Sequence, residues 1–377
     1  MRIESRRWTP GGGWDRVPGE LPGAQLVLVF ASTSACARAE LFETMSAAWP
    51  LAEIVGCSTA GEIFDTQVSD DTLSVAAIEF RDTVVACSRV AIDAPAESFA
   101  AGTRLAQSLP REGLAHVLVF SEGLHVNGSE LVKGLIESLP DGVTVTGGLS
   151  GDGHRFERTW VIWHGRPEEG TVVACGLYGS AIRVGYASLG GWDPFGPERL
   201  ITRSAGNVLY ELDGRSALEL YKQYLGEHAA DLPASGLLFP LSLRTAPDAT
   251  PVVRTILGVN EEEQSMTFAG DMPANAYARL MKANFDRLID GAAGAARVSQ
   301  HALGGGDPEL ALLISCVGRK MVLQQRVEEE VEGVRDVVGP RTVLTGFYSY
   351  GEISPFTPSA RCELHNQTMT ITTLSER

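Results

Sequence analysis

One order of segments, an apolar strand, a helix, a second strand and a Gly-rich turn, occurs three times along the chain. The first copy opens with Gln25 to Phe30 (QLVLVF). Its helix places Leu41, Phe42, Met45, Ala48 and Trp49 on one face, and its second strand, 52–55, runs into GCSTAGEI at 56–63. The second opens at His116 to Phe120, again with VLVF, and its helix sets Leu131, Val132, Leu135, Ile136 and Leu139 on one side. Its second strand, 143–146, ends in GGLSGDG at 147–153. The third opens with Glu309 to Ser315, buries Leu323, Val327, Val331, Val334 and Val338 on its helix, and runs through 342–345 into GFYSYGEI at 346–353. Apolar spacing of 3.6 residues marks the helices and short β-branched runs the strands.

Strands alternating with helices predict an α/β fold built in layers. Extra strands with no helix between them, 73–80 and then 83–91, read as antiparallel hairpin neighbours, so the sheets are expected to be mixed. The expectation is two related layered halves, residues 25–199 and 200–377, parted near the Gly- and Pro-rich stretch GGWDPFGPE at 190–198. Residues 1–24, rich in Gly and Pro, read as a flexible arm. A helix is expected over 211–226, capped by Asp213 or Ser216, and another over 275–290. The acidic run Glu328 to Glu330 reads as a solvated helix face.

The formal net charge is -16. Such a surface repels phosphate backbones and anionic lipid, which argues against nucleic acid and membrane partners. No apolar run reaches the roughly 20 residues that a bilayer requires, and the first residues contain no apolar export signal. The six cysteines form no CxxC pair and several lie in apolar runs, Cys87 and Cys175 among them; they read as free buried thiols of a cytoplasmic protein. The histidines lack metal-ligand spacing, and neither a GxxxxGK[ST] nor a GxSxG motif occurs, so no metal, no cofactor and no nucleotide hydrolysis are expected.

The turns are the candidate binding elements. Glycine after a strand lets backbone N–H groups converge on an anion. The first turn offers Gly56, Cys57, Ser58, Thr59, Gly61 and Glu62; the second Gly148, Ser150, Gly151 and Asp152; the third Tyr348, Ser349, Tyr350, Gly351 and Glu352. Glu62 and Glu352 hold the same place in two G-x-x-x-x-G-E-I frames. Hydroxyls and acids together suit a ligand carrying both a carboxylate and an ammonium, as an amino acid does. The competing interpretation is that the glycines only make tight turns while the acids cap neighbouring backbone. Arg254 and Asp271, in strand-to-turn settings, are further candidates to face a cleft.

GCSTAGEI, GGLSGDG, ELDGRSALELYKQYLG (211–226), SCVGRKMVL (315–323), GFYSYGEISP (346–355) and HNQT (365–368), taken in order, resemble the signature segments of FIST (F-box and intracellular signal transduction) domains. The resemblance implies a sensory role: a small-molecule ligand, such as an amino acid, bound by a module that passes a signal to a separate protein, since little sequence flanks it. It also singles out Cys316, Arg319, His365 and Asn366 as site residues. Two other functions remain open at this point. One is an enzyme with Cys316 or Cys57 as nucleophile and His365 as base. The other is a scaffold presenting an apolar patch to another protein.

Overall fold

The computed structural model describes residues 1–246, 248–249, 251–357 and 360–377. It is an α/β fold of mixed sheets flanked by helices, as the repeat implies. Each repeat supplies a parallel inner pair of strands joined by helix: Leu26–Ala31 with Glu53–Ser58, Leu114–Ser121 with Thr144–Leu149, and Leu310–Cys316 with Val343–Ser349. An antiparallel return strand lies against the first inner strand in each case: Leu73–Glu79, Thr171–Tyr178 and Met369–Glu376. An outer strand then flanks each return strand: Arg2–Thr9, Val84–Ala91 and Ile182–Leu189.

The three units are interlocked by the strands that follow the Gly-rich turns. After the first turn, Glu62–Phe64 leaves its own sheet and pairs with Val343–Ser349 of the third unit. After the third turn, Gly351–Pro355 pairs with Thr144–Leu149 of the second. After the second, Val161–Trp163 pairs with Glu53–Ser58 of the first. The exchange is cyclic, which is why the three turns share one neighbourhood. At the centre the rings of Phe30, Phe120 and Phe347 lie with centroids 4.8–6.3 Å apart. Each unit thus contributes one ring, an arrangement in which aromatic pairs gain beyond their buried area.

One glycine in each unit is dictated by this packing. A Cβ on Gly56, Gly147 or Gly346 would lie 1.8, 1.9 or 1.8 Å from the carbonyl oxygen of Val29, Val119 or Leu313 on the paired strand. No side chain fits there. The repeated glycine that begins each turn therefore serves sheet closure.

Between the outer strand and inner pair of the third unit, a separate antiparallel sheet is inserted, from Asp193–Ala205 to Tyr277–Lys282, with helix Ala217–Leu225 against it. It has its own core around Ile201, Leu218, Tyr221, Met266 and Phe268.

Five expectations are corrected. Residues 1–24 are not a free arm: Arg2–Thr9 pairs along the length of Leu73–Glu79, and Glu4 accepts hydrogen bonds from Gly19 and Leu21 while pairing with buried Arg6. The runs 73–80 and 83–91 are not hairpin partners; they belong to different sheets, because each return strand stays with its own unit. The helix over 275–290 is instead the strand Tyr277–Lys282 and then the helix Phe285–Ala302, begun by the Asn284 side chain accepting from Arg287 N. The helix expected over 211–226 begins later, at Ala217, where the Ser216 hydroxyl accepts from Glu219 N. Cys87 and Cys175 are not free thiols: they face each other across two antiparallel strands and form a disulfide, while Cys36, Cys57, Cys316 and Cys362 are free and buried. Among the described residues no helix is long and apolar enough to cross a membrane.

Candidate functional site

The three turns meet and are welded by their own backbones. Ser58 N donates to Trp160 O and Gly151 N to Ser58 O, joining the first turn to the second. Ala60 N donates to Tyr348 O and Tyr348 N to Gly61 O, joining the first to the third; Tyr350 N reaches Leu149 O of the second. Side chains complete the junction. The Ser58 hydroxyl donates to Gly151 O at 2.8 Å, Ser150 donates to Ser121 O at 2.9 Å, and the Tyr350 hydroxyl donates to the Asp152 carboxylate.

Glu62 and Glu352 are structural equivalents. Glu62 accepts from the Thr59 hydroxyl and from both the amide and hydroxyl of Thr72, at 2.9 and 2.7 Å. Glu352 accepts from Ser349 at 2.6 Å and from the amide and hydroxyl of Thr368, at 3.2 and 2.9 Å. Burial dominates over these donors and pushes Glu62 up to about 7 and Glu352 up to about 8. Asp152 differs. It accepts from the amides of Phe156, Glu157 and Arg158 and so holds together a loop that the other two turns lack.

Each equivalent carboxyl sits beside the loop that leads into its return strand. In the first unit that loop is Asp70–Asp71–Thr72; in the third it is Asn366–Gln367–Thr368, and Asp71 and Gln367 both have left-handed φ, 59° and 63°. The two copies have opposite surroundings. The first is an open cleft of about 440 Å³ walled by Thr59, Gly61, Glu62, Asp70, Arg155 and Lys320. There Lys320 Nζ donates to Ala60 O at 2.9 Å and pairs with Asp70. The second is enclosed, because the inserted sheet covers it. Gln367 Nε2 donates to Leu237 O at 3.3 Å, Trp192 Nε1 to Gln367 O at 2.8 Å, and Arg254 Nη1 to Leu364 O at 3.0 Å.

Several buried polar atoms in the third turn's loop and the insertion have no partner. Asn366 is 1% exposed, yet neither its Oδ1 nor its Nδ2 makes a hydrogen bond. Gln367 Oε1 and the Thr255 hydroxyl are likewise buried and unpaired. An amide buried in this state costs on the order of 1–3 kcal/mol, so native proteins rarely retain one without an occupant to bond it.

The other sequence-derived candidates are placed as structure. Gly148 lacks a Cβ because Ile314 and Phe347 would meet one at 2.8 and 3.2 Å, and Cys57 lies in the same central core. A Cβ on Gly351 would meet Leu149 and Leu364 at 3.0 Å. Arg319 is not a ligand donor: its guanidinium is fully buried against Glu330 and also donates to Gly190 O and Leu288 O. Glu330 also accepts from Ser315 and from Tyr348 at 3.0 and 2.6 Å, so the acid read as solvated is an internal counter-ion. The thiol–histidine geometry is absent. Cys57 and Cys316 are buried, which raises both thiols and leaves neither as a thiolate. His365 is lowered to about 4 by burial and its Nε2 is engaged with Ser354 O at 2.8 Å. Among the described residues no cluster of His, Cys, Asp and Glu is arranged to hold a metal.

Sequence reading did not single out Lys320, Asp70, Thr72, Gln367 or Thr368 as site residues, and it took Glu330 for part of a solvated face. A usable signal existed for two of them: a Thr immediately precedes the return strand after both GEI hairpins, at Thr72 and Thr368.

Comparison with known proteins places this geometry. Residues 25–215 match the FIST N domain and residues 217–355 the FIST C domain. An uncharacterised protein of Methanocaldococcus jannaschii is 23% identical over 278 residues, 66% of this chain and 52% of that protein, so the chain spans about half the length of this curated relative. Among solved structures, a cyanuric acid hydrolase aligns over 100% of this chain and 99% of its own at 9% identity and a TM-score of 0.34. A second such hydrolase, from A. caulinodans, aligns over 78% of this chain and 99% of its own, at 12% identity and a TM-score of 0.20. Scores of this size carry no argument about fold or activity. With both domain matches running in order through the interlocked units, the chain belongs to the FIST family of sensory, signal-transduction-associated domains.

Proposed function

We propose that this chain is a small-molecule sensor whose ligand binds at the seam beside Glu352 and Asn366, under the inserted sheet. The observation that carries the proposal is the Asn366 amide, buried with both of its polar atoms unpaired. An amide offers one donor face and one acceptor face. The complementary ligand end carries an acceptor and a donor side by side, as the carboxylate and ammonium of an amino acid do. Gln367 Oε1, on the adjacent residue, adds another polar atom without a partner.

Asn366 and Glu352 lie at the seam between the interlocked units and the insertion, and three of the seam's hydrogen bonds involve Leu364 or Gln367. A ligand bonded to Asn366 changes how tightly that seam closes. The position of the insertion is then what a separate signalling protein reads. Such coupling requires the ligand to bind the closed seam better than the open one.

The test is a melting-temperature series of ligand-stripped protein with each of the twenty free amino acids at millimolar concentration. A ligand at 100 times its Kd contributes about 2.7 kcal/mol. The expected result is a rise for a chemically related subset, absent in Asn366→Leu. A flat response throughout, with no small molecule released from freshly purified protein, would sink the reading.

A further inference from the structure

A second cleft, of about 350 Å³, lies between the helix Gly128–Ser138, the strands Leu241–Arg244 and Val252–Arg254 of the inserted sheet and the strand Cys362–His365. Asn366 is not among its walls. Its notable resident is Arg254, which is 7% exposed. The guanidinium bonds only to carbonyl oxygens: Nε to Asp271 O at 3.4 Å, and Nη1 to Val253 O at 3.3 Å and Leu364 O at 3.0 Å. Among the described residues no carboxylate forms a salt bridge with it, although Glu363 and Asp271 act on it through space.

The other cations of the cleft are already matched. Arg244 pairs with Glu198, Lys133 with Glu130 at 3.5 Å and Arg361 with Glu137 at 3.5 Å. Buried Arg319, by contrast with Arg254, has Glu330 as its counter-ion. A nearly buried cation without an anion is costly, and the usual remedy is an anion in direct contact. A second observation points the same way: the Ser129 hydroxyl, on the wall of the same cleft, is buried and unpaired. The apolar part of the wall is supplied by Val132, Ile136, Leu243, Val252 and Pro273, and Thr245, Glu130, Asp271 and Glu363 also line it.

We infer that this cleft is a second binding site, for a small carboxylic acid with a short aliphatic body. The carboxylate lies against Arg254, whose planar fork suits that geometry better than a point charge does, and takes a hydrogen bond from Ser129. The aliphatic part packs on Val132, Ile136 and Val252. Free carboxylic acids and amino acids share this chemistry. Glu363 at the cleft forms no salt bridge among the described residues and favours the amino acid, because an ammonium finds a partner there.

Isothermal titration of the full chain at neutral pH with isovalerate, leucine, isopentylamine and inorganic phosphate separates the possibilities. Isovalerate is expected to bind and the amine and phosphate not to; leucine is expected to bind as well, and the part of its binding that Arg254→Met removes belongs to this cleft. Arg254→Met is expected to weaken isovalerate binding by at least about tenfold, as loss of a charged hydrogen-bonding partner does. Arg254→Lys is expected to fall between wild type and Met. Val252→Trp, which fills the half-buried wall and leaves the cation in place, abolishes binding if the cleft is the site, and it keeps the test open should Arg254→Met fail to fold. Asn366→Leu leaves isovalerate binding unchanged, which separates this site from the proposed one beside Asn366. Wild-type affinity for isovalerate in both Arg254→Met and Val252→Trp, phosphate binding as strong as isovalerate binding, or no binding of isovalerate at all would overturn the proposal.

Discussion

Replacing Asn366 by leucine is the most informative perturbation, because a ligand role and a structural role predict opposite signs. The two side chains have the same number of heavy atoms and the same branch point, so the exchange removes the polar atoms while leaving a branched side chain of similar reach. In the ligand-free protein Asn366 buries a donor and an acceptor without partners. Removing both relieves a desolvation cost on the order of 1–3 kcal/mol. The unfolding entropy of globular proteins near 60 °C is about 2.1 cal/mol/K per residue, or about 0.8 kcal/mol/K for 377 residues. The substitution should therefore raise the melting temperature of ligand-stripped protein by roughly 1–4 °C. Scanning calorimetry of wild type and variant after exhaustive dialysis from mild denaturant measures the difference. With a bound amino acid the order reverses, since only the wild type gains the ligand's contribution. A variant several degrees less stable than ligand-free wild type would refute the reasoning, for it would mean that Asn366 holds the loop itself together.

Other substitutions test the frame around the pocket. Gly346→Ala should cost about 4 kcal/mol or more and yield little soluble protein, because its Cβ would lie 1.8 Å from Leu313 O; a normally folded variant would contradict the strand exchange. The buried carboxyls predict a pH dependence. Glu62 and Glu352, at about 7 and 8 against an ordinary 4.5, favour the folded state fully below pH 4.5 and lose that contribution as pH rises through 7 and 8. His116 and His365, at about 3 and 4 against 6.5, act in the opposite sense up to pH 6.5, so the two effects oppose each other below that pH. Between pH 6.5 and 8 only the carboxyls act. Urea unfolding should show stability falling there by up to about 1.4 kcal/mol per unit for each carboxyl, and Glu62→Gln with Glu352→Gln should flatten the profile. Cys36, Cys57, Cys316 and Cys362 are buried, so a thiol reagent at pH 7 should label none of them until denaturant is added; rapid labelling of Cys57 or Cys316 in the native protein would revive a nucleophilic role.

Local order was legible in the sequence where three copies spoke together. VLVF, the helical stripes and the Gly-rich turns gave the inner strand pairs and their helices, because apolar periodicity is a short-range signal. Partner choice was not legible. Nothing in residues 62–64 says that they join the strand at 343–349, since pairing across nearly three hundred residues depends on the central packing of Phe30, Phe120 and Phe347. The same limit misplaced Glu330, whose spacing on its helix looks solvent-facing until Arg319 arrives from the preceding turn of chain. In the site, the repeated Glu62 and Glu352 were visible from the GEI frame. The difference between their settings was not, because an insertion distant in sequence covers one and leaves the other open.

Native mass spectrometry of the freshly purified chain, followed by denaturing release, asks most directly whether the seam beside Asn366 holds an occupant. The account predicts that wild-type protein retains about one small polar molecule per chain, carrying a carboxylate and an ammonium, and that Asn366→Leu, equally folded, retains none. Wild-type protein that flies at its bare mass and stays bare after incubation with every amino acid, or a released compound retained equally by Asn366→Leu, would contradict it.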